Sequence, residues 1–76
     1  MKAYVLIDIR TGEIREAVRQ LRRVEGVAEA YMTFGIYDAI AVLEAQDLNE
    51  MGRIMSSSIQ PIPGVIETIT CLAVED

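Results

Sequence analysis

Apolar and polar positions alternate along four stretches of the chain, separated by two stretches with helical spacing. The alternating stretches are rich in β-branched and aromatic residues, which is typical of strands. They span residues 2–9, 27–34, 39–45 and 65–74. Over residues 13–24, apolar residues recur every three or four positions, which predicts an amphipathic helix. A second helix is predicted to begin at Asp47, where an Asp-x-x-Glu sequence resembles a capping box, and to reach about Ile59.

These elements form a strand–helix–strand unit that occurs twice. The segments that follow the two helices are similar, since residues 25–29 and 63–67 share Gly, Val and Glu at matching positions. A βαββαβ order with two crossover helices predicts a ferredoxin-like α+β sandwich, in which an antiparallel four-stranded sheet carries both helices on one face. Residues 1–76 are predicted to form a single domain of this kind.

This arrangement leaves the second face of the sheet bare, and the strand pattern predicts an apolar surface there. We expect six side chains on it: Tyr4, Leu6, Ile40, Val42, Leu72 and Val74. A patch of that size exceeds what monomers usually expose. We therefore expect two copies to dimerise face to face, as in a dimeric α/β barrel. Cys71 is the single cysteine and is predicted to be a small buried core residue.

Charge and composition remove several classes of function. The chain has a net charge of −5, which argues against nonspecific nucleic-acid binding because such binding depends on Lys and Arg neutralising phosphates. Four arginines between residues 15 and 23 are surrounded by glutamates, and we interpret them as a solvated helix face.

Catalytic and metal chemistry have few candidates. The chain has no His, so Ser-His-Asp and Cys-His catalysis is excluded. Carboxylates do not recur at metal-ligand spacing, and no catalytic residue, metal or cofactor is predicted. No apolar stretch is long enough to cross a membrane and no signal peptide is recognisable, so the expected compartment is the cytoplasm.

The polar turn at residues 35–38 combines a flexible backbone, an aromatic ring and a carboxylate. Asp38 can pair with the ammonium group of a ligand, while backbone N–H groups near Gly35 can receive its carboxylate. Tyr31 and Tyr37 can supply apolar walls. The same residues also suit an ordinary hairpin, in which Asp38 bonds to turn backbone and Tyr37 covers the edge of the core. The residues alone leave these two interpretations evenly balanced.

A set of short motifs decides between them by resemblance. In order, they are Tyr31-x-x-x-Gly35-x-Tyr37-Asp38, alternating Ile40-Ala-Val, Asp47 at a helix start, Pro63-Gly64-Val65 and Thr68-x-Thr70. Their order and spacing resemble the C-terminal effector-binding domain of the leucine-responsive/asparagine regulator (Lrp/AsnC) family, and with the βαββαβ order the resemblance covers essentially the whole chain.

The resemblance implies a domain that dimerises through its sheets, assembles into rings of dimers and binds an amino-acid effector where dimers meet. Carried over by position, Gly35, Tyr37 and Asp38 form the binding turn, and Tyr31 is their neighbour. The paired Thr68 and Thr70 on the last strand contribute hydroxyl groups.

Two features depart from the family pattern. No helix-turn-helix DNA-binding segment is present, and position 36 is Ile where the family more often has a polar residue. We therefore expect a stand-alone effector-binding domain without direct DNA or membrane binding. It would sense an amino acid and regulate transcription of amino-acid metabolism, alone or in mixed assemblies with a full-length Lrp/AsnC regulator.

Two other classes of protein stay open. One is a small dimeric α/β-barrel enzyme of the monooxygenase or isomerase type, which usually places His or another reactive group inside the barrel, where this chain has mostly aliphatic candidates. The other is a purely structural oligomerisation module.

Overall fold

The computed structural model describes residues 1–74, and its elements follow the predicted βαββαβ order. The elements are β1 (Lys2–Ile9), α1 (Ile14–Leu21), β2 (Val27–Met32), β3 (Ala39–Glu44), α2 (Leu48–Ile54), a π-helical segment (Met55–Ile59) and β4 (Val65–Leu72). The four strands form one sheet in the order β2-β3-β1-β4, and every neighbouring pair is antiparallel. The predicted ferredoxin-like fold is confirmed, although β2 and β4 end two residues earlier than expected and β3 one residue earlier.

The core lies between one face of the sheet and the helical layer. Alternate residues of β1 are buried because successive side chains of a strand point to opposite faces. Ala17, Val18 and Leu21 of α1 pack into the same cluster. The helical layer also contributes Met51, Met55, Ile59 and Ile62. Small residues at Ala39 and Ala41 of β3 let the helices approach the sheet closely.

The first helix is shorter than its apolar spacing predicts. It ends at Leu21, and the N–H of Val24 donates to the carbonyl of Leu21 at 3.1 Å in a tighter turn. Gly26 then adopts a φ of 101°, where a side chain is strained, and a Cβ there would lie 2.7 Å from Cδ1 of Ile54. The positive φ therefore favours glycine at this turn, and any Cβ would also displace the end of the Ile54 side chain.

The second helix begins as predicted and changes its winding midway. The N–H of Glu50 donates to Oδ1 of Asp47 at 2.8 Å, which confirms Asp47 as the N-cap. From Met55 the turns widen to π-helical geometry, and the N–H of Gln60 donates to the carbonyl of Met55 at 2.9 Å. The buried residues of α2 and the π-helical segment, Met51, Met55 and Ile59, are spaced by four. The wider turn keeps all three on the core side, because a spacing of four exceeds the 3.6 residues of an α-helical turn.

The uncovered face of the sheet is apolar, but part of its predicted composition is wrong. Cross-strand partners share a face, so the register places Cys71 beside Tyr4 and Ile69 beside Leu6. Leu72 lies opposite the buried Ala3, and so on the helix side of the sheet. The face therefore carries Tyr4, Leu6, Tyr31, Ile40, Val42, Ile69 and Cys71.

Three predictions for β4 are corrected as a result. Leu72 faces the other side, Val74 lies beyond the strand and is 89% exposed, and Cys71 is exposed rather than buried. The physical reason is that β4 is an edge strand. From Ile69 to Leu72 every residue is exposed, whichever face of the sheet it points to. The alternation of residue types along β4 therefore does not indicate which of its sides is buried.

Candidate functional site

The predicted binding turn is a loop of residues 33–38 that joins β2 to β3. Two hydrogen bonds close its base: the N–H of Thr33 donates to the carbonyl of Asp38 at 3.0 Å, and Oγ1 of Thr33 donates to the carbonyl of Tyr37 at 2.8 Å. The N–H of Asp38 donates to the carbonyl of Ile7 at 3.0 Å, which ties the loop to β1. Gly35 has a φ of 148°, a conformation that favours glycine. The base of the loop is fixed by the fold.

The Asp38 carboxylate has a structural contact of its own. Its Oδ2 accepts a hydrogen bond from the N–H of Ile9 at 2.8 Å, and the side chain is half-buried. Asp38 thus bonds to the backbone of β1, rather than to the turn backbone considered for an ordinary hairpin. Within residues 1–74, Oδ1 of Asp38 accepts no hydrogen bond, so one oxygen and the negative charge remain available for a ligand.

The tip of the loop exposes two apolar side chains. Phe34 is fully exposed and Ile36 is 89% exposed, on either side of Gly35. Tyr37 is half-buried. The sequence placed Phe34 at the end of a strand, and the signal that could have moved it to the loop is its position directly before Gly35. In the described part of the chain, the backbone N–H groups of residues 34–37 donate to no protein acceptor.

Tyr31 lies on the uncovered face of the sheet, since it is paired with Ile40 across β2 and β3. Its hydroxyl donates to Oε1 of Glu29 at 2.6 Å. This hydrogen bond and the negative charge of Glu29 raise the pKa of the Tyr31 phenol above its ordinary value, so the ring stays neutral at physiological pH. Half of the Tyr31 side chain is exposed, and it offers an apolar ring with a polar hydroxyl at its end.

The two threonines lie far from Tyr31 in the same chain. They belong to β4, which is one edge of the sheet, whereas Tyr31 belongs to β2, which is the other edge. Thr68 and Thr70 pair with Ile7 and Val5, so their side chains point to the helix side of the sheet. Three strand spacings of about 4.8 Å separate the two edges. Tyr31 and the Thr68–Thr70 pair therefore lie at opposite edges of the sheet, and Asp38 lies between them beside β1, since its N–H donates to Ile7, the strand partner of Thr68.

An open cavity lies at the other end of the sheet from the predicted binding turn. It has a volume of about 770 Å³ and is lined by the turn after α1, the end of β3 and the α2–π segment. Arg23, Arg53, Glu25, Glu44 and Glu50 contribute charges of both signs to its wall. None of the predicted site residues lines this cavity.

The family model described as the Lrp/AsnC ligand binding domain matches residues 2–76. The chain belongs to the Lrp/AsnC ligand-binding domain family. The HTH-type transcriptional regulator FL11 of Pyrococcus abyssi is 29% identical over 75 residues, which cover 99% of this chain and 49% of that protein. The chain thus spans about half the length of this curated relative.

Two solved structures have the same fold as this chain. The crystal structure of TTHA0845 from Thermus thermophilus has a TM-score of 0.93 at 29% identity, and the match covers 99% of this chain and 94% of that chain. The transcriptional regulator NMB0573 of Neisseria meningitidis, solved as an L-Met complex, has a TM-score of 0.87 at 17% identity, with 99% of this chain and 50% of that chain covered. At that identity the likeness shows the fold alone. None of the helices in residues 1–74 has the length and apolar character needed to cross a membrane.

Proposed function

We propose that this Lrp/AsnC domain binds an amino acid or a similar small effector at a site shared between copies, and that it thereby modulates transcription of amino-acid metabolism. The observation that carries the proposal is the placement of the predicted residues. Tyr31 on β2 and the two threonines on β4 lie at opposite edges and on opposite faces of the sheet, and Asp38 lies beside β1 between them. Three strand spacings of about 4.8 Å are more than one small ligand can span between Tyr31 and the threonines of a single chain, which supports a site shared between copies.

The hairpin offers the two halves of an amino-acid site. The free oxygen of Asp38 suits an ammonium group, because charge-assisted hydrogen bonds are stronger than neutral ones. The N–H groups of residues 34–37 suit a carboxylate, because they are consecutive backbone donors without a protein acceptor in the described chain. Phe34 and Ile36 supply apolar surface for the side chain of the effector.

The uncovered apolar face supports assembly of the copies. Tyr4, Tyr31 and Ile69 are each at least 40% exposed on it, and burial against a second sheet would remove them from water. We propose a sheet-to-sheet dimer of the α/β-barrel type and a ring of such dimers. A ligand that binds only the assembled form stabilises it by mass action, so effector concentration would set the assembly state.

The proposed regulatory role follows the relatives. They are named as transcriptional regulators rather than enzymes, which supports a non-enzymatic function in the cytoplasm. A neighbour with the same fold was solved with L-Met, which supports an amino acid as the effector. A full-length regulator of the family is the proposed partner in mixed assemblies, because the domains that would meet share their fold.

Calorimetry against the twenty amino acids tests the proposal. We expect heat of binding for at least one, loss of that heat in Asp38→Asn, and wild-type binding in Asp47→Asn. Asp47 is the matched control because Asn serves equally well as an N-cap and the same charge is removed. Absence of heat with all twenty, from protein shown by light scattering to be oligomeric, would overturn the amino-acid function.

A further inference from the structure

A crevice between α1 and β2 is lined by three arginines. Arg15, Arg19 and Arg22 are spaced by four and three positions, so they lie on one face of the helix or of the turn that continues it. The cavity has a volume of about 210 Å³, and Val18 and Met32 complete its lining. Every charged side chain of the lining is therefore a cation, in a chain whose net charge is −5.

The three guanidinium groups are held differently. Nε of Arg22 donates to the carbonyl of Ala30 at 2.9 Å, a partly buried contact that fixes this side chain against β2. Nη1 of Arg19 pairs with Oε1 of Glu16 at 2.7 Å, and both side chains are more than half exposed. Arg15 has neither an ion pair nor a side-chain hydrogen bond within residues 1–74. The crevice thus has one anchored, one partly neutralised and one free guanidinium.

We propose that this crevice binds a small multivalent oxyanion, such as a compound bearing phosphoryl or carboxylate groups. A planar guanidinium donates two parallel N–H bonds to such groups, and neighbouring cations strengthen the contact. Val18, which is buried, and Met32, which is 46% exposed, provide an apolar floor for the remainder of the ligand. The volume is below the roughly 300 Å³ at which drug-sized sites begin, so the ligand is small.

This inference is independent of the proposed amino-acid site. Met32 faces the helix side of the sheet, since it pairs with the buried Ala39, whereas Tyr31 faces the uncovered side. A long nucleic acid is the wrong ligand class for an acidic chain, because its affinity depends on many phosphate contacts.

Calorimetry of the full chain with sodium pyrophosphate, and separately with sodium citrate, tests the site at a fixed chloride concentration. We expect binding of at least one anion. The anion with the higher affinity indicates whether the crevice prefers phosphoryl or carboxylate groups. Arg15→Gln is expected to weaken it about tenfold, which is the order of one charge-assisted hydrogen bond. Arg15→Lys keeps the positive charge but loses the parallel pair of guanidinium N–H donors, and we expect an intermediate loss of anion affinity.

Arg53→Gln is the matched control, because Arg53 is exposed on α2 and its loss changes the net charge by the same amount. It should bind the anion within twofold of wild type, and so should Asp38→Asn. Equal weakening of anion binding in Arg15→Gln and Arg53→Gln would show that the anion responds to the overall charge of the protein, and this would overturn the site. Heat from neither anion would overturn it as well, and so would binding of a DNA duplex without either anion.

Discussion

Replacement of Asp38 separates two roles that its carboxylate combines. One role is structural, since Oδ2 accepts the hydrogen bond from the N–H of Ile9 at 2.8 Å and holds the hairpin to β1. The other role is the proposed charge for the ammonium group of an effector. Asp38→Ala removes both, whereas Asp38→Asn keeps an oxygen acceptor in the same place and removes only the charge.

The expected magnitudes follow from the geometry of this contact. Hydrogen bonds to charged groups contribute about 1.5–3 kcal/mol, and the half-buried position lets water replace part of that. We therefore expect Asp38→Ala to lower the free energy of unfolding by about 1–2 kcal/mol. Asp38→Asn should lower it by less than about 1 kcal/mol, because a neutral hydrogen bond remains. For a chain of 76 residues, the larger loss corresponds to a Tm lower by about 4–16 °C.

Urea unfolding followed by circular dichroism, at one protein concentration, measures the stability of both variants, and calorimetry measures effector binding by folded protein. Asp38→Asn should stay close to wild type in stability and lose binding. Equal destabilisation by Asn and Ala would refute the acceptor role assigned to Oδ2. Wild-type effector affinity in Asp38→Asn would refute the charge role, whatever its stability.

Two further predictions test the assembly and the backbone. Leu6→Glu places a charge in the uncovered face and should dissociate the oligomer, as measured by size-exclusion chromatography with light scattering. Leu48→Glu, at an exposed position of α2, should leave the oligomer intact. An intact Leu6→Glu oligomer would contradict sheet-to-sheet packing. In urea unfolding, Gly64→Ala should be about 1–3 kcal/mol more destabilising than Gly12→Ala. The two glycines have nearly the same φ, 93° at Gly64 and 92° at Gly12, but only at Gly64 would an added Cβ meet Glu13, 2.9 Å from the Glu13 Cβ. Equal losses of stability in the two variants would contradict this prediction.

The sequence predicted the fold because its local signals agree with each other. The capping sequence at Asp47 and the alternating residues of β1 correspond to contacts that form within or next to their own element. The π-helical turns after Ile54 were not predictable, because they adjust the spacing of buried residues to the sheet below. The orientation of Cys71 depends on pairing with β1, which has a register shift between Asp8 and Ile9.

The candidate site was only partly predictable for a similar reason. Motif spacing located the hairpin at residues 35–38, and the family resemblance supplied its proposed role. The bond from Ile9 to Asp38 spans 29 positions along the chain and depends on how the loop folds onto β1. The separation of Thr70 from Tyr31 depends on the strand order, with β3 and β1 between them. That separation supports the site shared between copies that the family resemblance implies.

A crystal structure of the oligomer with the amino acid that gives the largest heat tests the central claim most directly. We expect the ammonium group within hydrogen-bond distance of Asp38 Oδ1 in one copy, and residues of a second copy in contact with the same ligand. An amino acid held entirely within one chain, for example in the cavity beside Arg53 and Glu44, would contradict a site shared between copies.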